Sequence, residues 1–253
     1  MIERYAIARK NQQRLAAVFA TLALGPNLVA CSTSAEEKNV ATDIQCAPIS
    51  RTAEGIRIPM SEVVCNLGLL AIKDSIPENE ETKYDRDKQF GSGWRTVKGC
   101  STRETILRRD LTETVIGPKC EVLSGKLHDP YSGKDTPFFS SPEEIGKKIE
   151  IDHVVALSDA WQKGAQEWSP ETRKEFANDG LNLLAVETSV NRDKSDNDIS
   201  EWEPPDKNES CELVAHQVVI KTEYDGLWVT PAEHTKMETI LSTCSDQTFV
   251  IAG

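Results

Sequence analysis

The residues best suited to chemistry fall close together in the second half of the chain. Asp152 and His153 stand side by side in the run Ile151-Asp152-His153-Val154-Val155. Asn182, Asn191 and Lys194 follow, with the two asparagines nine positions apart. Such a set could hydrolyse a phosphodiester bond. A carboxylate and an amide oxygen suit a hard cation, an imidazole can take a proton from water, and an ammonium can meet a phosphate. An Asp-His dipeptide alone says little, since successive strand residues face opposite ways and many such pairs are structural. The combination with both asparagines and the lysine is what carries the expectation.

The elements that must position these groups are readable. Residues 150–157 read as a strand carrying the Asp-His pair. Ser169 caps a helix with Pro170 at its first position, and Asp179-Gly180 stops it. Residues 183–186 form a short strand, and Thr188 or Ser189 caps a helix with Asn191 in its first turn and Lys194 one turn on. Upstream, 101–109 is helical in spacing, 120–123 is strand-like, and Asp129-Pro130-Tyr131-Ser132-Gly133 is a turn between two strand-like pieces. Residues 60–76 have helical apolar spacing and Pro77-Glu78-Asn79-Glu80-Glu81 breaks it. Downstream, 211–224 is helical, and Thr230-Pro231-Ala232-Glu233 is a capping-box start for a helix running to 243. A short connection makes these last two helices antiparallel, which puts Cys211 beside Cys244.

The chain opens with an address. Arg4, Arg9, Lys10 and Arg14 against Glu3 make a basic leader, and the apolar run 15–24 is too short to span a bilayer. Leu28-Val29-Ala30-Cys31 resembles the lipobox of bacterial lipoproteins, with Cys31 as the lipidated residue; the alternative is an ordinary cleaved signal peptide. Either way the mature protein is exported. The chain has seven cysteines, and removing Cys31 leaves six: Cys46, Cys65, Cys100, Cys120, Cys211 and Cys244. No two form a C-x-x-C pair, which disfavours zinc and favours three bridges. Besides Cys211–Cys244, the nearest-neighbour pairs are Cys100–Cys120 and Cys46–Cys65. The expected order is therefore leader 1–31, tether 32–56, helix and charged linker 57–83, and a domain at 84–253.

Net charge is −12; taking away the +3 of residues 1–31 leaves about −15. This disfavours tight, salt-resistant binding to a nucleic-acid backbone without excluding turnover on one. Local basic patches could offset the repulsion, either Lys98, Arg103, Arg108 and Arg109 or Arg192 and Lys194. Arg103 suits a substrate phosphate in geometry, or equally an acidic neighbour. His128, His216 and His234 read as structural, and Trp94, Trp161, Trp168, Trp202 and Trp228 as core.

Asp152-His153, Asn182 and Asn191-Arg192-Asp193-Lys194-Ser195-Asp196 together resemble the HNH (His-Me finger, ββα-metal) nucleases. With Phe90-Gly91, Cys100-Ser101-Thr102-Arg103, Ala160-Trp161 and Trp202-Glu203-Pro204-Pro205, the span is similar to exported proteins related to the C-terminal domain of GmrSD-type restriction endonucleases. Gly180 and Ala156 replace prolines usual there. The resemblance implies an α+β fold: a ββα-metal core with flanking helices and a C-terminal helical hairpin, disulfide-stapled. It implies His153 as general base, Asp152 and Asn191 as ligands of Mg²⁺ (with Mn²⁺ or Ca²⁺ as alternatives), Asn182 orienting the loop, and Lys194 or Arg103 on phosphate. The substrate implied is nucleic acid, DNA with low sequence specificity; a toxin-like nuclease acting on competitors would add an immunity protein as partner. The rival expectation is a noncatalytic, acidic cell-surface lipoprotein that keeps the fold for binding.

Overall fold

Residues 45–141 and 149–253 are described by a computed structural model of the chain. Cys31, the leader and most of the tether lie outside them. Among the described residues, no helix is long and apolar enough to cross a membrane. The architecture is mixed α and β.

Its centre is a two-stranded antiparallel ribbon, Ile149–His153 against Leu183–Glu187, with Leu183 opposite His153 and Leu184 opposite Asp152. Strand residues alternate faces. Ile149 and Ile151 join Leu183 and Ala185 in a small core with Ile106, Leu107, Leu111, Val122, Leu127 and Phe138. The opposite face carries Glu150 and Asp152, and the helix Thr188–Lys194 lies against it: Asn191 donates to Glu150 and Lys194 pairs with Asp152. Asn191 and Lys194 are three residues apart, neighbours on one helix face, so each reaches one of two carboxylates set two apart along the strand. Glu187 caps this helix, its side chain accepting from Ser189 and Val190 N–H, where Thr188 or Ser189 was the expected cap.

The small core is closed by the helix Thr102–Asp110, capped by Ser101, and by the meander Leu111–Ile116, Val122–His128, Asp135–Phe139. A larger core lies under Glu209–Glu223 and Pro231–Leu241, the second of which starts on the expected Thr230–Glu233 capping box. Pro170–Phe176 is capped by Ser169 as its sequence requires. The bridges are Cys46–Cys65, Cys100–Cys120 and Cys211–Cys244, with Cα atoms 5.7, 5.4 and 6.0 Å apart.

Two expectations differ from what is found. The helix expected over 60–76 ends at Leu67, and Ala71–Ile72 instead pairs in parallel with Trp228–Val229. The segment 57–83 does not stand apart as helix and linker. Gly55–Pro59 pairs with Thr248–Ile251, Met60 and Val63 enter the large core, and Trp161 Nε1 donates to Thr82 O at 2.8 Å. Strand partners 157 to 195 residues apart and a ring contact 79 residues apart cannot be read from local spacing.

Candidate active site

His153 closes its strand because the chain beyond is taken over by Asn182. That side chain, fully buried, accepts from Val155 N–H at 2.9 Å and donates to Val155 O at 3.1 Å, while its own carbonyl accepts from Val154 N–H. An amide side chain thus replaces a strand neighbour for the loop after the histidine. The imidazole is 8% exposed. Its Nε2 lies 3.0 Å from Ala177 O. A carbonyl only accepts, so Nε2 carries the proton and Nδ1 presents a lone pair. The ring stacks on Trp94, centroids 5.8 Å apart at 16°. Burial, ahead of the nearby Arg86 and Lys194 charges, pushes the histidine down to about 3 despite the favourable Ala177 bond. It is therefore neutral, and able to accept a proton, at neutral pH.

Asp152 is buried among donors. Tyr131 Oη donates to Oδ2 at 2.7 Å, and Lys194 Nζ lies 3.2 Å from Oδ1 and 2.9 Å from Oδ2. Burial first, then the Asp152 charge, holds the Tyr131 phenol well above its ordinary range, so it remains a donor. Tyr131 is itself set by Asp129, which accepts from the N–H groups of Tyr131 and Ser132 and, across the fold, from Glu187 N–H. Asn191 Nδ2 donates to Glu150 at 2.9 Å, and no donor reaches its Oδ1 among the described residues.

The expected phosphate cations are placed differently. Lys194 is 1% exposed and spends its ammonium on Asp152 and on His153 O at 3.0 Å. It is a buried counterion, closed to a substrate phosphate. Arg103 is half-buried, 3.5 Å from Ile149 O, and its guanidinium is pushed down by burial against the pull of Glu104 and Glu150. Arg109 is a clamp on Asp110, Gly180 O and Leu183 O, and Arg192 stands 3.8 Å from Glu150. His128 is exposed on Asp135, whereas His216 is buried on Leu181 O.

The ribbon and helix therefore bring Asp152, His153, Asn182, Asn191 and Lys194 into one neighbourhood. Sequence spacing missed Tyr131, Asp129, Trp94, Glu150 and Arg86. For Tyr131 a signal existed in the Asp129–Gly133 turn, whose tyrosine has no reason of its own to be buried in a polar loop. A cleft of about 350 Å³ lies elsewhere, lined by Asp159, Lys163, Asp196 and Asp198.

Among the described residues, no three or more His, Cys, Asp or Glu side chains are grouped to hold a metal. The oxygens of Glu150, Asp152 and Asn191 nevertheless share one face of the ribbon and are of the type a hard divalent cation takes. A carboxylate has about four lone-pair sites, and Tyr131 and Lys194 do not use all of those on Asp152. The donor set fits such an ion in kind.

The profile of the GmrSD restriction endonucleases, C-terminal domain, matches residues 101–239. An uncharacterized secreted protein of Arthroderma benhamiae is 38% identical over 171 residues, 66% of this chain and 79% of that protein. No solved structure matches. The matched residues run from the Ser101 helix cap through the whole ribbon and its asparagine helix, and on that ground the chain belongs to the family of GmrSD restriction endonuclease C-terminal domains, which is HNH-like.

Proposed function

We propose that this protein is an extracellular, metal-dependent endonuclease that hydrolyses phosphodiester bonds, in DNA and with low sequence specificity. The observation that carries this is His153: Nε2 is committed to a backbone carbonyl, which leaves the lone pair on Nδ1, and the adjacent Asp152 lies on the oxygen-lined face with Glu150 and Asn191. Three disulfides and a secreted relative support an oxidising, extracellular setting. A lipid tether at Cys31 rests on Leu28-Val29-Ala30-Cys31 alone.

Asp152 and Asn191 would hold the divalent ion, Mg²⁺ by preference, with Glu150 adjacent. When bound, the ion supplies positive charge to the phosphate as negative charge develops. His153 Nδ1 takes the proton of the attacking water, and Ala177 O holds the tautomer and stabilises the resulting imidazolium through the Nε2 hydrogen bond. Trp94 keeps the ring in plane. Tyr131 and Lys194 hold Asp152 at one rotamer, and Asn182 holds the loop that follows.

Plasmid nicking with and without EDTA tests this. Cleavage that EDTA abolishes and Mg²⁺ or Mn²⁺ restores is expected; no cleavage under any metal overturns it. The rival, a noncatalytic acidic surface protein, is favoured by the buried Lys194–Asp152 pair, which already neutralises the carboxylate. It requires binding of a partner with no turnover.

A further inference from the structure

The two residues first expected to hold a substrate phosphate, Lys194 and Arg103, are placed otherwise. Lys194 is closed inside the protein, Arg109 is a structural clamp, and Arg103 is half-buried on a backbone carbonyl. Arg86 differs from all three. It opens the short helix Arg86–Gln89, whose cap Asp85 turns its carboxylate to Lys88 at 3.0 Å. The Arg86 side chain is exposed and makes no hydrogen bond or ion pair among the described residues. In a chain with 41 acidic against 29 basic residues, with Asp85 and Asp87 on either side of it, a guanidinium without a carboxylate partner is not explained by chance pairing.

Its placement is defined by an aromatic instead. The guanidinium carbon lies 5.9 Å from the Trp94 centroid, and Trp94 stacks on the His153 ring. An exposed cation–π contact is weak, so it orients the fork without using its donors. Five N–H groups remain available for two phosphate oxygens. Both residues lie before residue 101, outside the span shared with the family.

We propose that Arg86, seated on Trp94, binds the phosphate of the nucleic-acid substrate beside His153, and that Trp94 positions both groups; this rests on the endonuclease reading above. Arg86 is then a binding residue and Trp94 a positioning residue. The full chain carrying His153→Ala, to prevent turnover, is titrated with a labelled DNA duplex at several salt concentrations. Adding Arg86→Gln should weaken binding and lower the slope of log Kobs against log salt by about 0.9, the loss of one phosphate contact. In the His153-containing protein, Arg86→Gln should lower kcat/KM about 10²-fold, and Arg86→Lys less because the charge survives. Trp94→Phe should retain most of both effects of the stack, while Trp94→Ala loses them. Lys88→Gln, two residues away on the same helix, should leave slope and turnover unchanged.

An unchanged salt slope with Arg86→Gln, in a protein that otherwise cleaves DNA, overturns the role of Arg86 and leaves the endonuclease reading standing. Equal losses from Lys88→Gln overturn it too, since the effect would be general charge. A wild-type protein that neither binds nor cuts DNA overturns both.

Discussion

Two buried lysine networks sit in this protein, and they differ in what they leave unspent. In the helical part, Lys163 pairs with Asp159, Asp198 and Glu233, and Lys221 with Asp159 and Glu233; all five side chains are buried. Burial disfavours the Lys163 ammonium, yet Asp159, Glu233 and Asp198 more than offset this and hold it above the ordinary lysine range. The Lys221–Glu233 contact, 2.9 Å, is ionic and off the hydrogen-bond axis. This network closes on itself, joining Leu157–Gln162, Glu209–Glu223 and Pro231–Leu241. The second network, Lys194–Asp152–Tyr131, is smaller; among the described residues, no partner meets Nδ1 of the adjacent His153, Oδ1 of Asn191 or the guanidinium of Arg86, which sits on Trp94. Buried charge by itself therefore marks no site. The proposed chemistry rests instead on groups held firmly on one side and left uncommitted on the other.

Substitutions can break this comparison. The largest effect is expected from His153→Ala, which should lower cleavage by roughly 10²–10⁴-fold with the urea midpoint little changed. Full activity in that variant would remove His153 from the chemistry. Glu233→Ala should show the reverse pattern. It leaves two buried ammonium groups short of a partner and should cost about 3–5 kcal/mol in urea unfolding, with turnover per folded molecule retained. If it lowers turnover of the folded fraction as His153→Ala does, the two networks are not separable.

Smaller effects sharpen the contrast. Replacing Cys211 and Cys244 by Ser should cost about 2–5 kcal/mol without altering metal dependence, measured by the same unfolding and nicking assays. Acid titration separates a third buried group. His216, pushed by burial down to about 4 from 6.5, stays neutral in the native state while the unfolded chain takes up a proton below 6.5. Its stabilising contribution is present above 6.5 and is lost as pH falls toward 4, by up to about 1.4 kcal/mol per pH unit. His216→Gln should flatten the urea midpoint against pH over that window; an unchanged slope would show that the imidazole titrates freely.

Much of the site was legible because its parts are local. Asn182 and Asn191 are nine positions apart, and a short strand followed directly by a helix leaves few ways to arrange them. The caps at Ser169 and Thr230, and the Cys211–Cys244 pair, were legible for the same reason: each follows from backbone chemistry or from one short connection. Tyr131, Trp94 and Arg86 were not, because they reach Asp152 and His153 across 21 or more residues through turns whose direction no spacing encodes.

What the amino-acid order determined alone was the inventory of acid, base, amide and lysine, their spacing on strand and helix, the acidic balance and the even cysteine count. Tertiary structure decided how each group is used. It buried Lys194 against Asp152 instead of leaving it for phosphate, turned Nε2 of His153 to Ala177 so that the lone pair is left on Nδ1, and drew 55–72 into the core through Thr248–Ile251 and Trp228–Val229. The physical reason is burial. A charge or ring nitrogen removed from water must be satisfied by whatever the fold places within about 3 Å, and that neighbour is set by packing rather than by sequence distance.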